Sequence, residues 1–105
     1  MANSCTDLTR GMLTDPIPLR ISGSELDFAR AKSLADAKAR EVGSDPMLLS
    51  WYDRKRGVFS PDVVCCGEDK PAWLIYAESR GGSITVDINE EEYVFVYLDY
   101  GRERE

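Results

Sequence analysis

Two adjacent thiols, Cys65 and Cys66, lie in the stretch Asp62-Val-Val-Cys-Cys-Gly-Glu-Asp-Lys-Pro-Ala-Trp73, and they are the most chemically distinctive feature of the chain. A disulfide between them would be strained. Neighbouring Cα atoms sit about 3.8 Å apart across a trans peptide, whereas an unstrained disulfide wants roughly 4.4–6.8 Å. Cys5 could bridge to either thiol only by ordering the segment before residue 14. Zinc fits poorly as well. A structural zinc site takes four ligands, and the chain offers three cysteines and no histidine, so Glu68 or Asp69 would have to complete the set. Adjacent strand residues also point to opposite faces, which separates the two thiols, and the same objection weakens copper(I). A single reactive thiol at Cys66 survives these arguments. It precedes Gly67, where amides are available, and Lys70 would favour its thiolate, while Glu68 and Asp69 oppose it. Set against this is a buried strand end, since free cysteine is among the most buried residue types. The buried strand end is preferred.

Other residues that could do chemistry are sparser. Glu78 and Asp87 are possible general acid–base carboxylates if they flank one hairpin, with Arg80 between them; a cross-strand ion pair is the plainer use. Arg54-Lys55-Arg56 forms the sole basic cluster, too small for a nucleic-acid footprint, and it reads as a solvated hairpin turn. Arg80-Gly-Gly-Ser83 reads as a hairpin turn joining two strands; it opens no helix and so is not a phosphate loop. Asn89-Glu-Glu-Glu92 lacks the alternating ligand spacing of a calcium loop. With no histidine, the commonest general base and the commonest metal ligand are both missing. No metal or cofactor is expected.

The bulk composition bounds what these residues can belong to. At 105 residues, 43% hydrophobic and 30% charged, the chain has the makeup of one soluble globular domain. Its net charge of -6 repels phosphate backbones and anionic lipid, so neither nucleic acid nor a membrane surface is an expected partner. No run reaches the roughly 18 apolar residues of a membrane span. An odd cysteine count and a start without a basic, then apolar, signal pattern predict an acidic cytoplasmic protein with free thiols.

The elements that must position these residues follow from periodicity. Residues 1–14 read as a flexible leader, 15–100 as a single domain and 101–105 as a polar tail. Ile17-Pro-Leu-Arg-Ile21 is extended and, with two prolines nearby, belongs at a sheet edge. Ser22-Gly-Ser-Glu25 fits a capping box opening a helix that runs to Val42. Leu26, Ala29, Leu34 and Ala37 form its inward stripe, and Gly43 is its left-handed cap. Asp36 and Arg40 stand in the favourable order for an ion pair. The period then switches to two. Strands are predicted at Met47–Tyr52, from Val58, at Val63–Cys65, Ala72–Ala77, Ile84–Ile88 and Tyr93–Leu98. The fold class is α+β: one long helix packed on a mostly antiparallel sheet of about five strands.

One helix covers one sheet face, and the last strand is apolar on both. Val94, Val96 and Leu98 point one way; Tyr93, Phe95 and Tyr97 point the other, where Trp51, Trp73 and Tyr76 are candidate cross-strand neighbours. The plainer reading is that the tyrosine hydroxyls reach water while the rings pack on these neighbours; a homodimer pairing two such aromatic faces comes second.

The segments WYDRKRGVFSPDVVCCGED and AESRGGSITVDINEEEYVFVYL, within Trp51–Leu98, resemble a small prokaryotic family of uncharacterised α+β domains. The resemblance implies a domain of unknown function and carries over no catalytic residue. Sequence alone therefore supports a small non-enzymatic binding or interaction domain that self-associates through Tyr93, Phe95, Tyr97, Trp51 and Trp73. The alternative is a thiol-dependent redox or sulfur-handling protein using Cys65 and Cys66.

Overall fold

The computed structural model describes residues 8–13, 15–22, 26–61 and 71–99. Five strands and two α-helices occur among them, after a short 3-10 turn at Arg10–Met12: β1 (Ile17–Leu19), α1 (Phe28–Val42), β2 (Pro46–Asp53), β3 (Val58–Ser60), α2 (Ala72–Ser79), β4 (Ile84–Ile88) and β5 (Tyr93–Asp99). The strands form one sheet in the order β1-β4-β5-β2-β3. Only the β1–β4 pairing is parallel, with Ile17 opposite Val86. The remaining pairs are antiparallel. The α+β class and the mostly antiparallel five-stranded sheet are thus as the sequence predicts, with proline-bearing β1 at one edge.

The single-helix architecture is not. Ala72–Ala77, predicted as a strand, is the greater part of α2, whose Trp73, Leu74 and Ala77 are buried. An apolar run of this length has no readable period, so its boundaries decide its type. Pro71 stands at the helix N-cap. Arg80-Gly81-Gly82 closes the other end: Gly81 adopts φ +88° and the Gly82 amide donates to the Ala77 carbonyl at 2.9 Å. That backbone needs glycine's tolerance of positive φ, so the predicted hairpin turn is a helix cap.

A second helix changes which sheet face is covered by what. Tyr93, Phe95 and Tyr97 lie under α1, in a core with Leu26, Ala31, Ala35, Ala39, Ile84, Val86 and Ile88. Val94 and Val96 face the other way, beneath Trp73, Leu74 and Ala77 of α2 and beneath Leu8 and Leu13. Leu8 and Leu13 fall inside the predicted leader, yet both are buried. The aromatic row is therefore core, which removes the surface through which the sequence predicts self-association. Trp51 packs on Phe28 with ring centroids 4.4 Å apart, and Trp73 stacks on Tyr52 at 5.4 Å and 10°. The two tryptophans serve opposite faces of the sheet.

Within α1 the phase and both caps differ from expectation. The buried residues are Ala31, Ala35 and Ala39, whereas Ala29 and Ala37 are exposed. Three alanines at spacing four let the helix backbone lie close on the aromatic row. Helix structure starts at Phe28 and its cap is Asp27, whose carboxylate accepts from the Arg30 amide at 2.9 Å. Of the predicted capping box, Gly23, Ser24 and Glu25 lie outside the described residues. Gly43 is extended at φ -122° and not left-handed. Space is its constraint: a Cβ there would stand 2.8 Å from Ile84 Cδ1 and 3.0 Å from Asp99 Cγ. The buried Asp99 carboxylate accepts from the Ser44 and Asp45 amides at 3.1 and 2.9 Å, tying the end of α1 to β5.

Asp36 has a second role besides the helix surface. The Tyr97 hydroxyl donates to its Oδ1 at 2.6 Å, and Lys32 Nζ donates to its Oδ2 at 2.9 Å. A buried hydrogen bond to a charged acceptor contributes about 1.5–3 kcal/mol. Tyr97→Phe is expected to lower the unfolding free energy by that amount, as a lower urea midpoint with an unchanged slope; a midpoint equal to wild type would mean that this latch adds nothing.

Candidate functional site

A cleft of about 450 Å³ opens between the first turn of α1 and the β2–β3 turn, lined by Leu26, Asp27, Phe28, Ala29, Lys55, Arg56 and Tyr93. This volume lies in the range of small-ligand sites. Each wall has a local cause. The α1 wall exists because Asp27 starts the helix: its side chain satisfies the Arg30 amide and its carbonyl that of Ala31, at 2.9 Å each. The opposite wall exists because Asp53 shapes the turn. Its carbonyl accepts from the Gly57 amide at 2.9 Å and its Oδ1 accepts from the Arg56 amide at 3.2 Å. Gly57 at φ +68° then reverses the chain into β3.

Asp53 is fully buried at the base of that turn, and its Oδ2 has no hydrogen-bond partner. The Arg56 guanidinium lies 3.9 Å from it, a loose ion pair with an arginine side chain that is two-thirds exposed. Lys55 is also held loosely, 3.4 Å from the Leu26 carbonyl and 3.5 Å from Glu92 Oε2. Neither cation is locked. Both can turn toward a guest in the cleft at little cost.

Tyr93 forms part of the lining although the residue is only 2% exposed. No described residue makes a hydrogen bond to its hydroxyl, in contrast to Tyr97. Burial pushes the Tyr93 phenol above the ordinary tyrosine value, and the carboxylates of Asp53, Glu92 and Asp27 push it further; the Arg56 guanidinium acts against them. The hydroxyl thus stays protonated and available as a donor across the neutral range. Tyr97 is also raised, by burial and by the hydrogen bond to Asp36. Folded-state values above the unfolded one mean that folding binds these protons more tightly. The resulting stability is complete below the unfolded value of about 10 and is lost as pH climbs through the folded values. Spectrophotometric titration should show both phenols ionising above the ordinary tyrosine range, Tyr97 after Tyr93, and Tyr93→Phe should make stability less steep in pH above about 10. Normal titration of all tyrosines in the folded state would contradict this.

The residues singled out from sequence fare unevenly. Cys5, Cys65 and Cys66, with Glu68, Asp69 and Lys70, lie outside the described residues. Glu78 is an exposed residue of α2 and Asp87 a buried residue of β4, so they do not flank a hairpin. Asp87 accepts from the Glu91 amide and shapes the β4–β5 turn, in which Asn89, Glu90 and Glu91 all have positive φ. Of the aromatic candidates, Tyr93 alone lines the cleft. Arg54 leaves its basic neighbours: it donates to the Leu8 carbonyl at 2.9 Å and the Glu91 carbonyl at 3.0 Å, and its guanidinium covers the Tyr52 ring. Lys55 and Arg56 are the two cleft residues that sequence reasoning left as solvated charges. Among the described residues no group of three or more acidic or thiol side chains could hold a metal ion, and no helix is long and apolar enough to cross a membrane.

Residues 14–97 match a domain of unknown function (DUF5619). An uncharacterized protein of Archaeoglobus fulgidus is 39% identical over 71 residues, which is 68% of this chain and 75% of the relative. The crystal structure of a novel protein from the same organism superposes with a TM-score of 0.69 at 31% identity, covering 83% of this chain and 95% of that one.

Proposed function

For a chain that belongs to the DUF5619 family of domains of unknown function, we propose a small non-enzymatic binding role, with the ligand held in the cleft between α1 and the β2–β3 turn. The carrying observation is Tyr93: a nearly buried side chain that lines the cleft and whose hydroxyl has no partner among the described residues. Its hydroxyl oxygen keeps contact with solvent, so a guest with an acceptor replaces water there and gains a hydrogen bond worth about 0.5–1.5 kcal/mol. Leu26, Phe28 and Ala29 give the guest an apolar wall, and Asp27, Lys55 and Arg56 fix its orientation. Every one of these residues comes from a single chain. A cytoplasmic setting is part of this proposal, in keeping with the acidic composition and the odd number of cysteines.

The test is a thermal-shift screen of small polar metabolites against wild type, Tyr93→Phe and Ala29→Leu. Ala29 is exposed on the helix, so leucine there fills the cleft without touching the core. A ligand at a hundredfold its Kd stabilises by about 2.7 kcal/mol. Ligands that stabilise wild type and fail on Ala29→Leu are the expected result; a stabilising ligand indifferent to both substitutions would place binding elsewhere. In light scattering at high concentration a monomer is expected, since the aromatic row is buried within the chain.

A further inference from the structure

We infer that the ligand of this cleft is an amino-acid-type zwitterion, an inference that rests on the binding reading above and adds the chemical class. The charges of the site are separated by wall. On the β2–β3 turn stand Lys55 and Arg56, both more than half exposed and held by contacts of 3.4–3.9 Å. Across the cleft, α1 presents Asp27; Asp53 and Glu92 lie beside the cations, pairing loosely with Arg56 and Lys55.

A simple anion would satisfy Lys55, Arg56 and the first-turn amides of α1, but would leave the lining carboxylate of Asp27 unanswered. A simple cation would satisfy Asp27, yet would face two positive side chains and the positive end of a 15-residue helix. A ligand with both charges resolves the conflict. Its carboxylate takes Arg56, Lys55 and the Phe28 and Ala29 amides, which no intrahelical bond uses at the first two positions of a helix. Its ammonium takes Asp27 and sits beside the Phe28 and Tyr93 rings, where a cation is also favoured. The Tyr93 hydroxyl, carried by a nearly buried residue that lines the cleft and without a partner among the described residues, donates to the ligand carboxylate. Leu26 and Ala29 then receive an aliphatic side chain.

The probes are L-leucine, N-acetyl-L-leucine, L-leucine methyl ester, isovalerate and inorganic phosphate, titrated calorimetrically into wild type, Asp27→Asn and Lys55→Gln. Asparagine remains an N-cap, so Asp27→Asn removes charge while keeping the helix start. L-leucine binding at least about tenfold tighter than each of the other four probes is expected, because each loses one charged anchor. Both substitutions should weaken leucine by a similar factor. If isovalerate or phosphate binds as tightly as leucine and is lost in Lys55→Gln, the zwitterion assignment falls and the cleft stands. If no probe binds and the metabolite screen is also empty, the cleft falls with it.

Discussion

Phe95→Asp is expected to unfold the protein, not to dissociate a dimer. Phe95 is fully buried on the central strand β5, between β4 and β2, with its ring 5.7 Å from that of Phe28 on α1. Removing the ring costs about 3–5 kcal/mol, and seating an unpaired carboxylate in its place costs several more. A domain of this size has about 5–15 kcal/mol in total, so the substitution consumes most or all of it. Far-UV circular dichroism and urea titration measure the outcome. A folded, soluble variant with near-wild-type stability would mean that the aromatic row faces solvent, and that the two-faced core is wrong.

The second large effect belongs to the opposite face. Trp73→Ala is expected to cost about 3–5 kcal/mol. Its indole is fully buried, stacked on Tyr52, and packed with Leu8, Leu13, Val94 and Val96. It therefore joins α2, the sheet and the segment before β1. Trp73→Phe should cost much less, since the indole Nε1 is buried without a hydrogen-bond partner and phenylalanine removes that orphan donor while keeping a ring. Urea midpoints of the pair decide this. Equal losses for alanine and phenylalanine would show that stacking on Tyr52 is not what matters.

Much of the sheet was legible because alternation and turn chemistry are local signals. β2, β4 and β5, their turns at Asp53–Gly57 and Asn89–Glu92, and the edge position of β1 all follow from period two and from proline. α2 was not legible, because Ala72–Ala77 is apolar at nearly every position and carries no period. Its cues were the flanking Pro71 and Gly81-Gly82, which read equally as strand boundaries. That single misassignment propagated: without α2, the aromatic side of β5 lacked a cover and became a predicted interface. The phase of α1 failed for a related reason, since leucines drew the stripe away from Ala31, Ala35 and Ala39, where close approach matters more than side-chain size. The cleft could not be read at all. Asp27, the Lys55-Arg56 pair and Tyr93 are far apart in sequence and meet only because β5 runs beside β2 with Tyr93 opposite Asp53.

The central claim is that the cleft at the start of α1 is a ligand site, and backbone amide shift mapping by NMR with L-leucine tests it most directly. Perturbations centred on residues 26–29, 55–56 and 93, saturating with ligand and abolished in Ala29→Leu, are the predicted result. Shifts that spare those residues, or a spectrum unchanged at saturating concentrations of leucine and of every compound in the metabolite screen, would contradict it.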